Sequence, residues 1–186
     1  MGISFFGRWR GRSENTVLNS TAGHEATEPT DAESQFNRAQ NLANGEVVVQ
    51  DLPRAAECYL LAANQGHRLA QFNLGMMYGQ GQGVVRNQVT SLLWLGKAAE
   101  QGYPAAQYHV GVRQHRASKS RPQLEASECR IEAYKWLELA VANGHRGSES
   151  AREFVALNMT REEVSEGNRR AAAFTADRSK LAMAAA

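Results

Sequence analysis

Cysteine is nearly missing from this 186-residue chain. The two present, Cys58 and Cys129, are too few for a disulfide framework. Proline is scarce too, with four, and no apolar run approaches the roughly twenty residues a membrane-spanning helix needs. Charge of one sign is also lacking: Lys and Arg number 21 against 19 Asp and Glu, a net +2. Arg8, Arg10 and Arg12 stand without acids in the first twelve residues, which leaves 18 basic against 19 acidic groups from residue 13 onward. Such a balance gives no general draw toward phosphate backbones, so no nucleic-acid partner is expected. Ile3 to Phe6 is too short for the apolar core of a secretory signal, and Arg8 interrupts it. Phe6 also occupies the position where myristoylation needs Ser or Thr. A cytoplasmic protein with reduced thiols is the expectation.

Catalytic and metal signatures are missing as well. No HExxH, CxxC, GxSxG or carboxylate cluster occurs, so no catalytic residue, metal or cofactor is expected. Of the five histidines, His24 falls in a polar N-terminal stretch and His115 in a basic one. His67 and His145 each follow a glycine, and Tyr103 holds the same place between them, which marks repeat positions more than a ligand set.

What the chain does have is a unit running from Ala70 to Gly102. Ala70, Leu74 and Tyr78 fall on one helix face, with Gly75 beside Leu74 where another helix could approach closely. Gly79, Gly81 and Gly83 then alternate with glutamines, as suits an elbow needing positive φ. A phosphate-binding loop would need a preceding strand and a following Lys-Ser/Thr, and both are lacking. A second helix follows Asn87, a plausible N-cap, with Trp94, Leu95, Ala98 and Ala99 apolar and Gly102 at its end.

The unit repeats. Shifted back by 36 residues, Phe72 falls on Phe36, Ala98-Ala99 on Ala62-Ala63 and Gly102 on Gly66. Shifted forward by 36, Phe72 falls on Tyr108 and Gly75 on Gly111. Beyond the elbow the forward shift becomes 42, taking Trp94 to Trp136 and Gly102 to Gly144. The six extra residues are expected in a loop from Arg116 to Ser127, where insertions cost least. Three helix-turn-helix units result, at about 34–69, 70–105 and 106–147. The third lacks any glycine between Gly111 and Gly144.

The pattern carried by Ala70, Leu74, Gly75, Tyr78, Gly81, Gly83, Val84, Trp94, Ala98, Ala99 and Gly102 resembles the Sel1-like repeat, a relative of the tetratricopeptide repeat. The resemblance implies an all-α, right-handed α-solenoid of stacked antiparallel helix hairpins, and an adaptor or scaffold that binds other proteins or peptides. Some secreted members of that family staple each repeat with a disulfide. Cys58 and Cys129 lie in non-adjacent units and do not fit that pattern.

Around the repeats, residues 1–30 read as disordered and 179–186 as a tail, leaving a repeat domain over 31–178. Asp31, with Ser34 as the alternative, and Asp51 are expected caps, with Pro53 in a first turn and Val47-Val48-Val49 packing an elbow. After Gly144 a capping pair over 148–178 is expected. Its first helix, Ser148 to Leu157, would turn Phe154 and Leu157 inward. Its second would open with a capping box, Thr160 and Glu163, bury Val164, Gly167, Ala171 and Phe174, and leave Glu162, Glu166 and Arg170 to water.

Two surfaces are candidates for binding. First helices line the concave face of such stacks, and the pairs Asn37 with Asn41, Asn73 with Met77, and His109 with Arg113 would align there into a polar strip able to hold a peptide backbone. Arg116, Lys119 and Arg121 form a basic stretch suited to an acidic partner. Two other classes compete with the adaptor: a membrane-peripheral structural protein docked by Phe5, Phe6 and Trp9, and a hydrolase like those claimed for cysteine-rich relatives. The sequence names neither the partner nor the oligomeric state.

Overall fold

Side-chain caps stand where the hydrophobic period restarts, and each opens a helix. The computed structural model describes residues 30–45 and 48–184. Among these there are eight helices and no strand: α1 (Ala32–Asn44), α2 (Leu52–Asn64), α3 (Arg68–Gln80), α4 (Gln88–Glu100), α5 (Pro104–Ser118), α6 (Gln123–Ala142), α7 (Ser148–Ala156) and α8 (Arg161–Ala184). The carboxylate of Asp31 accepts from the Ser34 amide and that of Asp51 from Arg54, while the Asn87 side chain accepts from Val89 and Thr90. All three expected caps are in place.

α1 packs on α2, α3 on α4 and α5 on α6, and the hairpins stack through α2 against α3 and α4 against α5. Small residues make the close approach possible. Ala39, Ala62, Ala70, Ala98, Ala106 and Ala140 are all fully buried. A Cβ on Gly75 would meet Leu95 Cγ at 2.8 Å, and one on Gly111 would meet Leu137 Cγ at the same distance. Packing against Leu95 and Leu137 is what offsets the roughly 1 kcal/mol that a mid-helix glycine costs. The apolar centre runs the length of the stack, from Phe36 and Tyr59 through Leu74 and Trp94 to Leu95, Trp136, Leu137 and Val155.

The third hairpin departs from the expected loop. α5 ends at Ser118 and α6 starts at Gln123, so most of Arg116–Ser127 is helical. α5 and α6 have 15 and 20 residues, against 13 in each of α1 to α4. The insertion lengthened helices and shortened the turn. Gly81 ends α3 in the left-handed region at φ 77°, whereas Lys119 at the end of α5 stays right-handed at φ −70°. Without a glycine to leave the helix early, the chain runs on to Pro122, which enters α6 with φ −54°.

The C-terminal pair also differs in detail. Phe154 and Leu157 are exposed rather than inward, and Val155 is buried instead. α7 lies against α6, and the face it offers is Ser148, Ala151 and Val155, at i, i+3 and i+7. The capping box forms as expected: the Thr160 amide donates to Glu163 at 2.9 Å, and the Glu163 amide to the Thr160 hydroxyl at 3.2 Å. Helix α8 then lies along α6. Gly167 fits under Tyr134, Ala171 joins the cluster around Trp136 and Leu139, and the Phe174 ring meets Trp136 edge-on at 5.4 Å. Glu166 and Arg170 do not simply face water. The Arg170 guanidinium bridges Glu128 and Glu132 of α6 and Glu166 of its own helix. The helix continues to Ala184, so a tail beginning at 179 is not observed.

Val48 and Val49 are exposed and pack little against the elbow; Val47 lies outside the described residues, as do Phe5, Phe6, Trp9, His24 and the whole of residues 1–29. Among the described residues no helix is long and apolar enough to cross a membrane.

Candidate partner-binding surface

The repeated polar residues divide into those used inside the stack and those left over. The ring after each unit-ending glycine meets the aromatic of the first helix: Phe36 with His67 at 4.4 Å, Phe72 with Tyr103 at 4.9 Å, and Tyr108 with His145 at 4.7 Å. His67 Nδ1 also accepts from the Ala70 amide at 3.1 Å, capping α3. The two histidines are joints between units. Gln71 and Gln107, both buried, donate to the carbonyls of Ala63 and Ala99 in the preceding unit. Each accepts in turn from the end of its own hairpin, Gln71 from Gln101 at 2.8 Å and Gln107 from Asn143 at 3.0 Å. Sequence reading passed over this ladder, although Gln35, Gln71 and Gln107 recur at the spacing of 36.

The six expected strip residues do not form one exposed strip. Asn37 and Asn41 are exposed on α1. Met77 is buried, 5% exposed, in the cluster with Phe36, Leu42 and Tyr59, and Asn73 is half-buried close to Tyr59. His109 is half-buried 5.8 Å from the Phe72 ring. This helix position faces the preceding hairpin, and it is open only in the first unit, ahead of which no hairpin is described. Burial lowers the proton affinity of His109, with Arg113 and His145 adding to the effect.

Arg113 belongs to a different grouping. With Arg116 one turn further along α5 and Arg86 from the α3–α4 connection, it lines a cavity of about 450 Å³ completed by Gly79, Gln88, Ala117 and Ser120. Arg113 donates to the Gln88 carbonyl at 3.4 Å. Among the described residues none of the three arginines has an ion-pair partner. Burial, and then the guanidiniums of Arg116 and Arg86, lower the proton affinity of Arg113, which reports like charges held together. The other two members of the expected basic stretch are partly spoken for. Arg121 pairs with Glu125 at 2.9 Å, and Lys119 stands 5.9 Å from the Phe154 ring. Arg86 was missed because it sits thirty residues upstream, and only the stacking of α5 on the elbow brings it near.

Arg116 also borders a second cavity of about 220 Å³, walled by Val112, Leu137, Ala151, Phe154 and Val155. His115 lies on its wall, edge-on to Phe154 at 5.6 Å. Both His115 ring nitrogens are buried without a hydrogen-bond partner. Burial, then Lys119 and Arg130, lower the proton affinity of this imidazole. Elsewhere, Cys58 and Cys129 are free, and burial raises the Cys58 thiol above its ordinary range, away from the reactive thiolate. Among the described residues no group of three or more His, Cys, Asp or Glu could hold a metal ion.

Stacked helix hairpins joined by internal polar ladders, with charge left over on one edge, define a helical-repeat protein. More particularly, the chain carries Sel1 repeats: a family model described as Sel1 repeat matches residues 32–67, 68–103 and 130–145. The third match covers only the second half of its unit, in keeping with the altered turn before α6. The fold is similar to the crystal structure of a Sel1 repeat protein from Oxalobacter formigenes, with 28% identity and a TM-score of 0.58 over 65% of this chain and 47% of that one. A protective antigen of uropathogenic Escherichia coli strains, displaying an SLR fold, aligns over 76% of this chain and 38% of its own at 20% identity and a TM-score of 0.48. The chain therefore spans less than half the length of either. A search of curated proteins gives no match. Sel1 repeats commonly serve as protein-interaction scaffolds.

Proposed function

We propose that this protein is a non-enzymatic adaptor that binds a segment of another protein on its first-helix side, at the edge formed by α5 and the elbow of the preceding unit. The observation that carries the reading is a contrast. The repeated glutamines and His67 and His145 are consumed by bonds within the stack, whereas Arg86, Arg113 and Arg116 share one cavity with no internal counter-charge. Asn37 and Asn41 stay exposed at the open α1 end of the stack and offer a separate polar surface there. The two free thiols suit the cytoplasm, which is where we place the protein.

Capture from native lysate tests the adaptor reading. Immobilised wild-type protein is expected to retain a discrete set of proteins that a scrambled-surface control, with Asn37, Asn41, Arg86, Arg113 and Arg116 all replaced by serine, does not. Identical retention by both proteins would sink it.

A further inference from the structure

We infer that the arginine cavity and the apolar pocket beside it act as one site for an acidic peptide segment of a partner protein, with carboxylates among Arg86, Arg113 and Arg116 and an aliphatic side chain seated beside His115. This rests on the adaptor reading and gives its partner a chemistry.

Arg113 and Arg116 are three residues apart on α5 and so project from one face, across from Arg86. Half-buried Arg113 sits among like charges and has only a carbonyl for company, which is an unfavourable state that an anion relieves. Guanidiniums fork onto carboxylates through paired N–H donors. Three of them along a cavity of about 450 Å³ suit several carboxylates spread along a chain.

The neighbouring pocket supplies the second, independent observation. Arg116 borders both cavities, so the two lie side by side along α5. The smaller one has aliphatic and aromatic walls, and it explains why Phe154 stands 54% exposed at its mouth. On that wall the His115 ring stands edge-on to Phe154 and adds aromatic surface for an aliphatic side chain. A purely apolar helix would leave the arginines unpaired, and a bare anion would leave the pocket empty. An acidic segment with an aliphatic residue between its acids satisfies both.

The test uses the full chain and a fluorescein-labelled nonapeptide of three Glu-Glu-Leu repeats, read by anisotropy at 50 and 200 mM salt. Saturable binding is expected, falling at the higher salt. Replacing Glu by Gln in the peptide, or making Arg113→Gln in the protein, should weaken it roughly tenfold or more. Exposed Arg116→Gln, which leaves the fold untouched, should also weaken it, which keeps the test valid if Arg113→Gln folds poorly. Ala for Leu in the peptide should cost about threefold or more, and Ala151→Phe should erase that difference by filling the pocket. Equal binding of the Glu and Gln peptides, or wild-type affinity in the Arg116→Gln protein, would overturn the inference. So would a peptide with phosphoserine in place of Glu binding tenfold tighter. Lysate capture that survives the Arg86, Arg113 and Arg116 to Gln triple variant would overturn this inference and the placing of the binding edge on α5, while an adaptor that binds elsewhere on the stack would still stand.

Discussion

The rings of Phe36 and His67 lie stacked with centroids 4.4 Å apart, one on the first helix of the first unit and the other at the threshold of the second. His67 uses its remaining valences too: Nδ1 accepts from Ala70, and Nε2 lies 3.1 Å from a Glu33 carboxylate oxygen. One side chain thus caps α3, packs on α1 and meets a carboxylate of α1. His67→Ala should cost about 1–2 kcal/mol through lost cap and stack together. His67→Asn, which restores the cap alone, should recover about half of that, as urea titration would reveal.

The glutamine ladder makes a sharper demand. Gln107 is fully buried, and its amide satisfies the Ala99 carbonyl and the Asn143 side chain at once. Gln107→Leu keeps the volume and strands both partners, so a loss of about 1–3 kcal/mol is expected. Gln71→Leu should behave alike, since Gln71 bonds Ala63 and Gln101 in the same way. A loss at Gln107 no larger than at an exposed glutamine such as Gln80 would contradict the ladder's importance.

Two glycines should respond in opposite directions. At Gly75 an added methyl would lie 2.8 Å from Leu95 Cγ, so Gly75→Ala should destabilise by about 1–3 kcal/mol despite its better helix propensity. At Gly96 in α4 an added methyl meets nothing within 4 Å, and Gly96→Ala should stabilise by about 0.5–1 kcal/mol. Thermal melts of the two variants on either side of wild type would confirm the close approach of α3 to α4.

Much of this architecture could be read from residues alone. Glycine and alanine spacing located the hairpins, and Asp31, Asp51 and Asn87 announced their caps because a cap is a local event. The third turn could not be read the same way. A missing glycine states that one exit from a helix is closed, without stating that the helix will run on to Pro122. The binding surface was legible only in pieces. Arg113 and Arg116 stood out as basic, but Met77 and Asn73 were assigned outward because helix periodicity fixes a face and not what lies opposite it. Arg86 joins the site through stacking, a relation that no local pattern encodes.

Acid should act in two windows. His109 and His115 are held below the ordinary imidazole value of 6.5, by burial first and then by nearby cations. The native state therefore binds fewer protons than the unfolded chain, so their contribution is full above about pH 6.5 and fades as pH falls below it. Glu128, Glu163 and Glu166 titrate below the ordinary 4.5. Arg170 lowers Glu128. Burial works to raise Glu163, but hydrogen bonds from Arg130, Ser127 and Thr160 outweigh it. Arg169 and Arg170 bring Glu166 to about 2. Stability from these carboxylates is present above about pH 4.5 and lost on the way down to about 2. A melting temperature flat above pH 6.5, falling gently to 5 and steeply below 4.5, is expected. His109→Gln with His115→Gln should flatten only the gentle segment.

Arg170 offers a local version of the same test. Its guanidinium is what joins the acids of α6 to Glu166 of α8. Arg170→Gln should leave those carboxylates facing one another and speed amide exchange in α8 by roughly tenfold, with α1 to α4 unchanged. Uniform exchange rates across the whole chain would show that α8 is not held separately.

The way α8 lies along α6 also gives the array a direction in which it could have grown. Gly167 seats under Tyr134, and Phe174 takes the exposed side of Trp136, so no further hairpin could be stacked there without evicting the brace. On the α1 side Asn37 and Asn41 present the same helix face that Asn73 and Met77 use to meet their neighbour. A 36-residue unit added at the α1 end would leave the final hairpin and its brace undisturbed. Longer and shorter descendants of this chain should differ in the number of units on that side while sharing the final hairpin, its brace and the arginine edge.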